Sequence, residues 1–330
     1  MNHEIRQGSS RRVFTSAVAA MLVGSAAGAA VADTFPSKPI RLVVNFAAGG
    51  STDVMARALA KSMSGFLGQP VVIDNRAGAL GAVGASSVAR SPADGYTLLI
   101  TTQGSMTEIP VISAQPPYDS TKAFAPVGLV GESPFVIFAH PTFPANNVQE
   151  LLAYAKARPE GVDVSVSGSS VKLGVLALGA AAGAKLVQIP YGGAGPAVNA
   201  ALAGHTSLGL NAVTSSLMEN VKAGKLKLLG VGSNAPYKLL PGVAPVAATI
   251  PGYTAQVWWG VFAPSGTPAP IISKLNAALK QGLSDANVES VFHANATMPV
   301  HSSPEALGKL VAEGLATTEK LVKTHNIPKE

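Results

Sequence analysis

The 330-residue chain reads as an α/β molecule of two lobes, each a mainly parallel sheet flanked by helices, joined by two crossing segments. Three observations predict this. Strand and helix patterns alternate through the first hundred residues and again from 147 to 232. Two extended apolar stretches, PFVIFAHP at 134–141 and AQVWWGVFAPSGTP at 255–268, are suited to carrying the chain out to a second unit and back. Apolar residues make up 47% of the chain and charged residues 13%, so buried sheets are expected rather than disorder.

Each element follows from its pattern. PIRLVVNF is a buried strand, and TDVMARALAKSMSGFLG an amphipathic helix closed by Gly68. PVVIDNR is a second strand, GAVGASSVARS a small-residue helix stopped by the turn SPADG, and YTLLITT a third strand. Strands and helices alternating at this spacing form a parallel sheet through right-handed crossovers. Beyond the first crossing come helix NVQELLAYAKARP, strand VDVSVSG, helix KLGVLALGAAAG and strand KLVQIP. The loop YGGAGP leads to helix AVNAALAG, strand TSLGLNA, helix SSLMENVKAG and strand KLKLLGVG. NAPYKLLPGVAPVAATIPGY is a surface excursion, and three helical segments follow the second crossing. The first lobe is therefore expected from 33–134 and 256–330, with 135–255 inserted as the second.

SSRRVFTSAVAAMLVGSAAGAAVAD near the start has a basic entry, an apolar run, and Ala30 and Ala32 ahead of Asp33. That is the layout of a cleavable signal peptide over 1–32, and SRRVF also fits the twin-arginine export route. The mature chain is expected to be soluble outside the cytoplasm, in the periplasm. The formal charge of +6 owes much to Arg6, Arg11 and Arg12, and no basic run suits nucleic acid. Cysteine is absent, which removes disulfides and thiolate chemistry.

Enzyme signatures are missing too. The six histidines are not paired at metal-ligand spacing, and no HExxH, GxSxG, Walker A or GxGxxG pattern occurs. GALGAVG at 78–84 spaces its glycines wrongly for a nucleotide site. No cofactor and no metal are expected.

The informative stretch is VVNFAAGGSTDVMARALA, residues 43–60, where a glycine-rich turn joins strand to helix with no Lys or Arg between Arg41 and Arg57. A helix N-terminus offers unpaired N–H groups and about half a positive charge, so it can hold a carboxylate without a cationic side chain. Gly49 and Gly50 would let main-chain amides approach a ligand, and Ser51 and Thr52 add hydroxyls. Asp53 is expected to support the helix start and to pair with Arg57. Thr102 and Gln103 end the third strand at the same crevice edge. Trp258 and Trp259 are expected chiefly to pack the hinge.

FPSKPIRLVVNFAAGGSTDVMARALA, LGQPVVIDNRAGALGAVGA, ADGYTLL, PYDSTKAFAPVGLV, VKAGKLKLLGV and WWGVFAPSGTP, taken together and in order, resemble the extracytoplasmic solute receptors of tripartite tricarboxylate transporters, the Bug family. The resemblance covers essentially the whole mature chain. It implies a two-lobed, type II-like periplasmic binding protein, a monomer, that captures a small carboxylate and delivers it to integral membrane permease subunits. Phe46, Ala48, Gly49, Gly50, Ser51 and Thr52 would then form the first-lobe contacts. Ser167, Gly168, Ser169 and Ser170, then Tyr191, Gly192, Gly193 and Asn211, would face them from the second lobe.

Departures from the family pattern bear on the ligand. Asn45 replaces the usual proline and Ala47-Ala48 follow, so a softer turn is expected. Lys172 ends a shortened second-lobe loop and would favour an extra anionic group, while Gly192 stands where the family tends to have lysine. A sensor-kinase partner instead of a permease, or an exported enzyme, are the alternative readings.

Overall fold

The computed structural model describes residues 35–324 and 329; the expected signal peptide lies outside the described residues. β1 (Ile40–Val44) is central to the first sheet, with β2 (Val71–Asn75) on one side and β3 (Thr97–Thr102) on the other, both parallel to it. Leu42 sits in register with Ile73 and with Leu98, so one apolar row crosses three strands. α1 (Ser51–Leu67) ends where Gly68 turns left-handed at φ 69° and its N–H reaches the Ser64 carbonyl, a conformation that favours glycine. α2 (Ala82–Ala89) precedes β3, and a π-helical turn at Gly104–Glu108 leads from β3 into the short α3 (Ile109–Ile112).

After α4 (Ser120–Ala123), capped by the Asp119 side chain, β4 (Phe124–Ala139) runs for 16 residues through both sheets. Its first part, to Pro134, pairs antiparallel with the returning strand at Gln256–Pro264; from Phe135 it pairs with second-sheet strands. Between lie α5 (Val148–Lys156), β5 (Val162–Val166), α6 (Ser169–Ala182), β6 (Leu186–Pro190) and α7 (Ala194–Leu202). Next come β7 (Leu208–Ala212), α8 (Ser215–Lys222) and β8 (Lys227–Val231). β5, β6 and β7 are parallel, while β4 lies antiparallel to β7 and β8. β9 (Gln256–Pro264) returns to the first sheet between β3 and β4. α9 (Ala269–Leu283), α10 (Ala286–Ala294), β10 (Met298–Pro299) and α11 (Pro304–Thr324) complete the described chain.

Each sheet is thus a parallel trio extended by antiparallel crossing strands. The crossings are tied to each other: Phe135 N–H donates to the Ala255 carbonyl, Gly232 N–H to Phe135, and Ala255 N–H to Gly232. A two-stranded hinge with these cross-links permits bending while preserving its main-chain bonds. Among the described residues no helix is long and apolar enough to cross a membrane.

Candidate functional site

Three helices point their N-termini into the space between the lobes. α1 starts after Gly50, α6 after Gly168 and α7 after Gly193, and none of these caps has a side-chain hydrogen bond to the helix. The first-turn amides therefore keep donors that a serine or aspartate cap would have satisfied. Sequence periodicity placed the starts of α6 and α7 three residues late, at Lys172 and Ala197; glycine caps leave no side-chain signal in the sequence. Only two opposed helix starts were expected, and the structure adds a third at Ala194.

These N-termini border a narrow cleft of about 40 Å³ between the lobes. From the first lobe Phe46, Gly50, Ser51, Thr52 and Thr102 line it. Ser167, Gly168, Ser169, Ser170 and Asn211 line it from the second. Apolar walls come from Phe135 and Ala212 on the hinge side and from Val257 and Trp259 on the returning strand, none expected as contacts except Trp259 as an alternative to hinge packing. Their signal in the sequence was their position on the crossings. Among the described residues no charged side chain lines the cleft.

The remaining expected residues lie outside this lining. Gly49, at φ 81°, gives its N–H to Asp53 at 3.0 Å, and Ala48 beside it is exposed. Gly192 accepts a hydrogen bond from the Ala47 N–H at 3.1 Å, which joins the two lobes directly. A Cβ on Gly193 would stand 3.3 Å from the Ala47 nitrogen, and one on Gly195 3.3 Å from the Gly49 backbone. At this glycine loop the two lobes meet backbone against backbone. Tyr191 is half-buried with its N–H on the Val166 carbonyl. Lys172 is half-buried on α6, outside the cleft lining, and its carbonyl accepts from Gln188 at 3.1 Å. Gln103 reaches the Gln256 carbonyl at 3.2 Å along the seam between the lobes.

Supporting residues hold the first-lobe loop rigid. Asn45 is fully buried and donates to Gly81 O at 2.9 Å and Ser105 Oγ at 2.8 Å. The softer turn expected from the loss of proline is therefore replaced by a hydrogen-bonded clamp, and the glycines of GALGAVG give it room: a Cβ at Gly81 or Gly84 would fall 2.6 Å from Asn45. Burial raises the Asp53 carboxyl, but bonds from Arg57, the Gly49 amide and Asn75 outweigh it and leave it below the ordinary value. Trp259 Nε1–H donates to Thr52 Oγ1 at 2.8 Å, so the Thr52 hydroxyl proton is left for another acceptor.

In the second lobe Ser167 Oγ bonds Asn211 Oδ1. Asn211 Nδ2, Ser169 Oγ and Ser170 Oγ are buried without a hydrogen-bond partner. Buried polar atoms cost roughly 1–3 kcal/mol each when left unpaired, so a cluster of them beside a cleft marks a place where a ligand completes the structure.

One acid lies next to this cluster. Glu108, 4% exposed, sits on the π-helical turn of the first lobe. Its Oε1 receives Gln103 Nε2 at 3.4 Å, while Oε2 has no well-formed hydrogen bond. Burial pushes its carboxyl up to about 7, opposed by the Ser170 and Ser169 hydroxyls and Gln103. Glu108 was not singled out in the sequence; nothing local in GSMTEIP marks it.

Comparison with known proteins agrees with this geometry. The family model "Tripartite tricarboxylate transporter family receptor" matches residues 55–327. BugT of Bordetella pertussis is 36% identical over 287 residues, 86% of this chain and 87% of its own. The structure of periplasmic binding protein BugD superposes with TM-score 0.85 at 32% identity, covering 90% of this chain and all of BugD. An R. palustris protein with adipate gives 0.85 at 30% identity over 89% of this chain and 99% of that one. MatC from Rhodopseudomonas palustris with bound malate gives 0.81 at 30% over 87% and 100%. The chain belongs to the receptor family of the tripartite tricarboxylate transporters, two-lobed periplasmic solute-binding proteins.

Proposed function

We propose that this chain is a periplasmic receptor that closes around a small organic carboxylate and hands it to the permease subunits of a tripartite transporter. The observation that carries the reading is the donor-rich, charge-free cleft: three uncapped helix starts and three unpartnered buried groups, Ser169, Ser170 and Asn211, around one cavity. Such a surface suits an anion whose charge is spread over several hydrogen bonds. The malate- and adipate-bound relatives support the same class of ligand. In this reading the contacts are Phe46, Gly50, Ser51, Thr52 and Thr102 on one side, with Ser167, Gly168, Ser169, Ser170 and Asn211 on the other.

Lobe 1 (33–134 and 256–330) and lobe 2 (135–255) each offer half of the donors. Ligand therefore binds the closed form better than the open one and shifts the population toward it. The closed form then presents a joined surface to the membrane partner. The N-terminal 32 residues serve for export, and the receptor acts as a monomer without cofactor.

The test is a thermal-shift screen of carboxylates on protein unfolded and refolded to strip bound solute. A ligand present at about a hundredfold its Kd stabilises by about 2.7 kcal/mol, an easily read rise in Tm. Matched amides and alcohols should give none. A screen in which neutral analogues stabilise as well as the acids contradicts the reading.

A further inference from the structure

Glu108 stands directly behind the proposed ligand donors. The point that a Cβ on Gly104 would occupy lies 2.5 Å from Ser169 Oγ, 2.8 Å from Ser170 Oγ and 3.2 Å from Glu108 Oε2. Three oxygens, one from lobe 1 and two from lobe 2, thus gather over a residue that has no side chain. All three are buried and none has a well-formed partner. Ser169 and Ser170 also line the cleft, whereas Glu108 does not; it lines a neighbouring crevice, which Ser170 lines as well. The two hydroxyls therefore stand between the acid and the cleft.

We propose that Glu108 makes ligand capture proton-linked: in its neutral form its O–H donates to the Ser169–Ser170 pair, these hydroxyls donate to the ligand carboxylate, and one solvent proton is taken up with each bound anion. The proposal rests on the carboxylate reading above. The physical reason is the hydroxyl's single proton. An ionised Glu108 would draw the serine protons toward itself and turn oxygen lone pairs toward the cleft, where they would repel an anion. A neutral Glu108 reverses the polarity of the relay.

Repulsion acts in the same direction. An anion one hydroxyl away in a closed, poorly solvated cleft disfavours a second negative charge and raises the acid's affinity for a proton. Burial already places this carboxyl at about 7, and the bound anion must carry it well above 8 for a full proton to be taken up there. The ionisable groups on elements packed around it leave this unchanged. Tyr253 gives its hydroxyl to Gly174 O at 3.1 Å, and Glu313 on α11 pairs with Lys309 at 3.7 Å. Lys172 lies on α6 one turn beyond the serines. The causes that shift Glu108 are burial first, then Ser170, Ser169 and Gln103.

The experiment titrates malate, adipate, citrate, glutamate and benzoate calorimetrically into the refolded protein between about pH 6 and about pH 9, in pairs of buffers with different ionisation heats. For any acid that binds, the wild type should take up close to one proton near pH 8. Its affinity should fall by up to about tenfold per pH unit once Glu108 of the free protein is ionised. Glu108→Gln, which mimics the neutral acid, should bind with a flat pH profile and no buffer-dependent heat. The Ser169→Ala/Ser170→Ala double variant should bind more weakly and lose the proton uptake while Glu108 remains. Proton uptake by the wild type is decisive even if Glu108→Gln fails to fold. Binding without uptake, or uptake that persists unchanged in Glu108→Gln or in the double variant, overturns the proposal and leaves the carboxylate reading standing. Failure of all five acids to bind overturns that reading, and this proposal with it.

Discussion

At the scale of single residues the site depends on side chains whose second bond is already committed. Thr52 is the clearest case. Its oxygen accepts the Trp259 indole N–H at 2.8 Å, which directs its own proton elsewhere and makes it a donor to the cleft it lines. Thr52→Val should both weaken carboxylate binding and leave the buried indole N–H without an acceptor. A buried unpaired donor costs roughly 1–3 kcal/mol, read as a lower urea midpoint at unchanged slope. Thr52→Ser should restore most of both. Equal stability of Thr52→Val and the wild type would show that the indole bond contributes nothing. Asp53 plays the companion role outside the cleft lining: it holds the Gly49 amide and Arg57, so the loop is shaped by an ion pair.

At the scale of elements, glycine decides how near the lobes can come. The loop before α7 and its first turn meet the loop before α1 with almost no side chain between them, and a Cβ at Gly193 or at Gly195 would stand 3.3 Å from backbone. The prediction is that Gly195→Leu wedges the cleft open, because its Cβ alone would stand 3.3 Å from Gly49 C and O. The site lies at the rim of the cleft, away from the buried apolar cluster that runs through both lobes, so the unfolding midpoint should stay close to the wild type. Affinity should fall about tenfold or more, because only an open, half-complete site remains populated. Small-angle scattering should show a contraction on adding ligand to the wild type and none with Gly195→Leu. Contraction of both would place the closing contact elsewhere.

At the scale of the whole molecule, the two buried acids shape stability against pH in opposite senses. Glu108 has a raised pKa, so its contribution is fully present below the unfolded value of 4.5 and is lost as pH rises through about 7. The shift corresponds to a loss on the order of 3 kcal/mol for the closed form between those limits. Asp53 has a lowered pKa, so its contribution is present above 3.8 and lost as pH falls through its depressed folded value. Glu108→Gln should therefore be more stable than the wild type near pH 8 and equal to it near pH 4.5, by urea unfolding at both. A difference of the same size at both values would mean that the substitution acts through packing instead of charge.

The parts legible in the sequence were those that periodicity or punctuation marks. The strand at Ile40–Val44 and the helix closed by Gly68 appear where apolar spacing and glycine placed them; both crossings are extended as expected, but their antiparallel pairing and the start of β4 at Phe124 were not marked in the sequence. The glycine-rich turn before α1 was legible because a helix start after Gly-Gly-Ser-Thr needs no distant partner to expose its amides. The starts of α6 and α7, the clamp made by Asn45 and the indole bond of Trp259 were not, because each is defined by atoms far away in the chain. Glu108 is the extreme case: its neighbours Ser169 and Ser170 lie some sixty positions on and in the other lobe. By itself, then, the sequence determined the lobes' elements, the family and the chemistry of the helix-start donors, all properties of local pattern. Only the tertiary structure decided which donors meet in one cleft, which glycines close it and which acid stands behind it. Those are set by the approach of two separately folded surfaces, and local pattern carries no record of that distance.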